Sequence, residues 1–209
     1  MLPLEFLISA LVTLLVVVDP LGLVPAFLAT TRGLTSRLRR QVALRACAIA
    51  GAILIGAALI GDWLLRQLGI TLPAFRIAGG LLLFAVAFEM VLGLRRERDA
   101  KDAEQAIEEH IHDMAAFPLA IPLMAGPGAI TATILLAGQA AYRPQWLAVL
   151  LAVVVVVMAA CLISFLAAER IGKLLGVTGN VVMSRLLGVI LAALAVQYVV
   201  DGVRAAFGT

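Results

Sequence analysis

Asp19 is the residue in this sequence best placed to do chemistry. It stands in VVVDPLGLVP, inside a run that is otherwise uncharged from Phe6 to Thr31, and is followed by Pro20, Leu21, Gly22 and Pro25. A second cluster, IPLMAGPGAI, places Pro122, Gly126, Pro127 and Gly128 in the apolar run from Met114 to Tyr142. Proline removes a backbone donor and clashes with the preceding turn, and glycine has low helix propensity, so both clusters predict interrupted helices. Asp19-Pro20 reads as an N-cap followed by the residue best suited to the first helical position; Gly126-Pro127 reads likewise with a weaker cap. Restarting there would leave the amides of Leu21, Gly22 and Leu23 at one break, and of Gly128, Ala129 and Ile130 at the other, as two positive helix ends facing a common centre. Such ends hold a carboxylate well. Asp19 supplies the opposite charge, and could meet a substrate ammonium, coordinate sodium with carbonyls of the preceding half-helix, or carry a proton. The alternative is an N-cap that only stabilises the broken helix.

Other polar residues in apolar surroundings are weaker candidates. Thr131 and Thr133 follow the second break, where hydroxyls either reach a ligand or bond back to their own helix. Glu89 lies about 7–8 Å of helix rise, at about 1.5 Å per residue, from Leu94, and is either a coupling-ion ligand or a side chain reaching the interface. Gln197, in AVQYVV, divides between substrate contact and an interhelical hydrogen bond. Arg76 and Arg185 read as snorkelling or capping residues. The segment EEHIHD could in principle hold a metal through His110, His112, Glu109 and Asp113, but reads better as a solvated charged linker, so no metal site is assigned. Cys47 and Cys161 lie in apolar spans as free thiols. Ala48, Ala52 and Gly56 form a small-residue ridge at spacing four, expected to pack closely on a neighbouring helix.

The elements that must hold these residues follow from composition. Of 209 residues, 63% are hydrophobic and 14% charged, and the mean hydropathy is +1.09, which no water-facing surface tolerates. The uncharged stretches Phe6–Val18 with Pro20–Thr31, Ala46–Gly61, Ile77–Phe88, Met114–Tyr142, Pro144–Ala168 and Leu186–Val200 make six spans. Most approach the roughly 20 residues that cross about 30 Å of hydrocarbon. They are apolar all round rather than alternating, so helices are expected and a β-barrel is not. The first is read as a retained span rather than a cleaved signal peptide. Twelve of the 16 basic residues fall in the loops after the first, third and fifth spans; only Arg66, Arg76, Arg143 and Arg204 fall on the other side. The positive-inside rule therefore places both termini outside the cytoplasm. Nucleic-acid binding is not indicated.

The chain also repeats itself. A shift of 107 brings Pro20 onto Pro127 and DWLLRQLGIT, Asp62 to Thr71, onto ERIGKLLGVT, Glu169 to Thr178; a shift of 109 then brings Arg76, Gly79 and Gly93 onto Arg185, Gly188 and Gly202. The expected organisation is one all-α, polytopic membrane domain: a three-helix repeat in residues 1–94, a charged cytoplasmic loop in 95–113, and a second three-helix repeat in 114–209. Three spans is an odd number, so the second repeat must be inverted, with the first and fourth helices broken at the midplane. Inverted repeats are a transporter signature. A channel or accessory membrane subunit is the rival reading. An enzyme is not expected, since the spans contain no HExxH, no histidine and no aspartate pair, and no GxxxxGK[ST] loop indicates ATP-driven transport.

DPLGLVPAFLA at 19–29, FRIAGG at 75–80, PLAIPLMAGPGAI at 118–130 and SRLLGVILAALAVQ at 184–197 resemble the MarC family of bacterial inner-membrane proteins, also called the neutral amino acid transporter family. The resemblance covers nearly the whole chain and implies transport of small neutral amino acids such as glycine or alanine, driven by sodium or protons. The family often has Asn before the first-span proline, where this chain has Asp19. The lipid bilayer and a small-molecule substrate are the implied partners, a homo-oligomer is compatible with the sequence, and no cofactor beyond a coupling sodium ion or proton is called for.

Overall fold

Threonine opens two of the long helices. The Thr35 hydroxyl accepts the Leu38 N–H at 3.4 Å and starts α3, Ser36–Gln67; the Thr71 hydroxyl accepts the Ala74 N–H at 3.3 Å and starts α4, Leu72–Leu92, with proline in its first turn. Gly69, at φ 69°, turns the chain between them, and Gly93, at φ 82°, ends α4 in the left-handed conformation that glycine adopts without steric cost. These elements belong to a computed structural model of the protein, which describes residues 3–94, 119–140 and 144–208. The charged segment expected at 95–113, with His110 and His112, lies outside the described residues.

All the regular structure in the described residues is helical. Before α3 come α1, Pro3–Val18, and the short α2, Val24–Thr30; after α4 come a π-type turn at Leu119–Met124, then α5, Pro127–Gln139, α6, Pro144–Leu166, and α7, Ala168–Phe207. Gly176, at φ 58° and ψ −171°, leaves helical space inside α7, so its apolar part is a separate helix from Thr178 to Phe207. That helix, α3, α4 and α6 are each long and apolar enough to cross a membrane. The chain is therefore a polytopic helical membrane protein. The two remaining apolar stretches are cut by their breaks into pieces too short to cross alone.

The broken segments occupy the middle. Phe6, Leu14, Val17 and Val18 of α1 and Gly128, Ala129, Ala132, Leu135 and Leu136 of α5 are buried, and α5 packs on α1, α3, α4 and α6. Around them α4 and α7 form the most extensive pairing, running antiparallel: Gly202 approaches Arg76 and Ile77, Gly80 approaches Ala195 and Val199, and Gly188 approaches Met90 and Val91. The α3 and α6 helices are antiparallel too, with Gly51 against Met158 and Arg39, near the start of α3, ion-paired to Glu169, just beyond the end of α6. Outward faces carry Leu81, Leu82 and Phe88 on α4, Val155 and Val156 on α6, and Leu186 and Val189 on α7, exposed as lipid contact requires.

The small-residue ridge is the exception to expectation. Ala48 and Ala52 are exposed, and nothing lies within 4 Å of a side chain placed at Gly56. The packed stripe of α3 is Ala43, Ala46, Ala50, Leu54 and Ala58 instead, because the buried arc is set by the position of α5 and α6 rather than by residue size. Close approach matters more at Gly80, where an added Cβ would sit 2.7 Å from the Ala195 carbonyl oxygen and 3.0 Å from the Val199 nitrogen. Both are backbone atoms, so Gly80→Ala must push α4 from α7. The expected loss is roughly 1–3 kcal/mol, seen as a lower thermal unfolding midpoint in detergent; an unchanged midpoint would contradict this packing.

Candidate functional site

The first break is organised by Asp19 itself. The α1 helix ends at Val18, and Asp19 takes a left-handed conformation, φ 53°, which is the one positive φ outside glycine among the described residues. Aspartate is among the few residues that enter this region at low cost, because its short carboxylate can bond locally. Here Oδ1 accepts the Gly22 N–H at 3.0 Å, the Asp19 carbonyl accepts the Leu23 N–H at 3.1 Å, and the Asp19 N–H still donates to the Leu15 carbonyl at 2.9 Å. The other carboxylate oxygen, Oδ2, accepts the Ser184 hydroxyl from α7 at 3.0 Å. Asp19 is only 4% exposed. Gly22 is required by space: a Cβ there would fall on the Asp19 carboxylate.

Two expectations about this break need correction. Helix does not resume at Pro20: that residue is buried in a turn, Leu21 and Gly22 are half-buried within it, and α2 starts at Val24 with Pro25 in its first turn. Nor are the amides of Gly22 and Leu23 left for a ligand, since Asp19 engages both through its side chain and its carbonyl. The physical reason is the left-handed Asp19, which folds the chain back over its own carboxylate instead of launching a helix in the extended conformation usual for an N-cap.

At the second break the expectation holds more closely. Ile121 is extended, φ −134° and ψ 123°, as a residue preceding proline prefers, and the Ala125 N–H reaches back five residues to the Ala120 carbonyl at 2.8 Å. Gly126, extended and without a capping side chain, then opens α5 with Pro127 in its first turn. The Ile130 N–H bonds the Gly126 carbonyl at 3.0 Å, and Pro127 has no N–H, so Gly128 and Ala129 hold the first-turn amides that lie ahead of the helical ladder. Both residues are buried. A Cβ on Gly128 would stand 3.3 Å from Val86 and 3.5 Å from Val17, two residues before Asp19, so the two breaks lie side by side.

The remaining candidates separate. Thr133 bonds back to the Ala129 carbonyl at 2.7 Å, while Thr131 turns its methyl toward Gly79 of α4, so neither hydroxyl is placed by these contacts at the first break. Glu89 is half-buried on α4, one turn beyond Val86 and hence on the side facing the second break. Gln197 is not part of the constellation. It is exposed and donates to Asp201 at 2.8 Å, four residues along its own helix, because the buried arc of α7 at that level is carried by Ala195 and Tyr198. Sequence reasoning passed over Ser184. The available signal was a lone hydroxyl in the apolar run VVMSRLLG, overshadowed by the adjacent Arg185. Among the described residues no three His, Cys, Asp or Glu side chains come together to hold a metal.

Comparison with known proteins agrees with the membrane architecture. A family model for MarC family integral membrane proteins matches residues 4–207. A UPF0056 membrane protein of Methanocaldococcus jannaschii is 36% identical over 204 residues, 97% of this chain and 98% of the relative. One from Archaeoglobus fulgidus is 38% identical over 200 residues, 95% and 92% of the two chains. The UPF0056 membrane protein YhcE of Escherichia coli is 32% identical over 197 residues, 93% and 90%. No solved structure matches the chain. Matched from end to end by the family model and by full-length relatives, the chain belongs to the MarC family of integral membrane proteins.

Proposed function

We propose that this protein is a secondary transporter of small neutral amino acids, coupled to a sodium or proton gradient across the cell's inner membrane, with both termini outside the cytoplasm. The observation that carries the proposal is a buried carboxylate in a break between helices, beside a second break with buried first-turn amides. A charge among membrane helices is expensive and is retained where it serves a pathway or a binding site. Asp19 meets the ammonium of the substrate or the coupling cation, and the Gly128 and Ala129 amides meet its carboxylate. The residues on the small side of the site, Gly22, Gly128 and Ala129, are in keeping with a substrate as small as glycine or alanine. Glu89, on the same side of α4 as the second break, is the further candidate for ion coupling.

An inverted repeat underlies this reading. Gly69 and Gly176, 107 positions apart, both take positive φ just before a threonine that precedes an apolar helix, and the helices paired across the molecule, α4 with α7 and α3 with α6, run antiparallel. Two similar halves of opposite orientation can exchange conformations around one site, opening it to each side in turn. One observation favours the rival reading, a channel or accessory protein: both oxygens of Asp19 already have partners within the chain.

The deciding experiment is flux of radiolabelled glycine and alanine in proteoliposomes under imposed sodium or proton gradients. Saturable, gradient-dependent uptake is expected. Pro127→Ala, which restores a donor and lets the turn at 119–124 continue into α5, is expected to reduce flux on the order of tenfold or more, the equivalent of about 1.4 kcal/mol. Native flux in that variant would remove the second break from the site, and linear, gradient-independent flux would establish a channel.

A further inference from the structure

A cleft of about 510 Å³ lies away from the two breaks, where the start of α3 meets the corner between α6 and α7. Its charged lining is Arg39, Arg40, Arg170 and Glu169, three guanidiniums against one carboxylate. Glu169 is committed to Arg39. Among the described residues Arg40 and Arg170 have no acidic partner, and the buried Nε–H of Arg39 has no acceptor. All three arginines sit in the opening turns of helices, α3 and α7, where the helix dipole disfavours positive charge. The cleft thus concentrates positive charge beyond what the protein neutralises.

Its other wall is apolar. Ile163 and Leu166 of α6 are strongly exposed on the outward face, and the interior of the cleft ends on the stacked rings of Phe27 and Phe165, 4.5 Å between centroids. Basic groups above an outward-facing apolar strip match an amphiphile with an anionic head. A second cleft, of about 470 Å³, lies at the corresponding corner between α3 and α4, and supplies an internal comparison. There Asp62 and Arg66 pair at 2.9 Å and no further charge lines the space. The two corners share a position in the repeated sequence and differ in charge.

We propose that the arginine-lined cleft binds the phosphate of an anionic phospholipid, with an acyl chain along Ile163 and Leu166. Basic pockets between membrane helices recognise lipid phosphates in this way, and guanidiniums grip them through paired N–H donors. The site is distinct from the transport reading and does not depend on it. The test is lipid retention by native mass spectrometry, together with thermal unfolding, of the full chain given phosphatidylglycerol, phosphatidylcholine or inorganic phosphate. Phosphatidylglycerol is expected to be retained and stabilising, and phosphatidylcholine much less so. Arg40→Gln with Arg170→Gln should weaken phosphatidylglycerol binding on the order of thirty-fold. Both side chains are exposed, so the unfolding midpoint in phosphatidylcholine should not move. Arg66→Gln, in the neutral cleft, should leave phosphatidylglycerol retention unchanged. Equal retention of the two lipids, or a preference that survives the double substitution, would overturn the proposal. Inorganic phosphate matching phosphatidylglycerol would overturn its assignment to a lipid and leave a free phosphate site.

Discussion

Asp19→Ala is expected to lower gradient-driven glycine and alanine flux by on the order of 100-fold, the loss of a charge-assisted hydrogen bond worth about 3 kcal/mol. The same change strips the acceptor from the Gly22 N–H and from the Ser184 hydroxyl, each a group left unpaired at about 1–3 kcal/mol if buried, so the unfolding midpoint should fall as well. Two further variants separate charge from turn. Asn in place of Asp19 tolerates the left-handed conformation and still presents an oxygen to Gly22, and its amide can donate to Ser184, so Asp19→Asn should fold like the native chain. If its flux is lost, the negative charge is what the substrate or coupling ion requires; if flux persists, the turn is the shared need and cation coordination by Asp19 is rejected. Ser184→Ala leaves the Gly22 contact in place and should reduce flux only several-fold, the expected cost of losing about 1 kcal/mol of positioning.

The second large effect is expected at Gly22. Its φ is not positive, so alanine faces no backbone strain; the difficulty is that a Cβ occupies the space of the Asp19 carboxylate. Gly22→Ala should therefore displace that carboxylate from both its partners, with flux loss close to that of Asp19→Ala and destabilisation of roughly 1–3 kcal/mol from overpacking. The pair makes a thermodynamic cycle. In an Asp19→Ala background the obstacle is gone, so adding Gly22→Ala should change the unfolding midpoint little, while flux stays lost. Additive destabilisation in the double variant would show that Gly22 is constrained by something other than Asp19.

Both breaks were legible in the sequence because proline and glycine act on the backbone wherever they stand. Pro122 sends Ile121 extended, and Gly126-Pro127 opens α5, as local rules require. Thr71 and Gly93 likewise bound α4 through contacts within a few residues. What escaped depended on neighbours distant in sequence. Ser184 becomes a partner of Asp19 only because α7 crosses the first break, 165 positions away. Gln197 faces away for the same kind of reason, since its helix presents Ala195 and Tyr198 inward. The ridge of Ala48, Ala52 and Gly56 satisfied a spacing rule, but nearly every face of α3 is apolar or small, so spacing could not identify the buried one. At Asp19 the residue type was informative and its conformation was not: the left-handed turn that ties up two amides is a choice between two local solutions, both open to an Asp-Pro pair.

The crossing of α3 and α6 sets Gly51 against Met158, so glycine on one helix faces a long side chain on the other. Contact at such a point cannot be shared evenly. A Cβ at Gly51 would already lie 3.4 Å from the Met158 Cγ, so two methionines would collide, whereas two glycines would leave a void. One helix carries the bulk and the other makes room for it. The two positions therefore form a couple, in which a change of volume on one helix has to be answered across the crossing on the other.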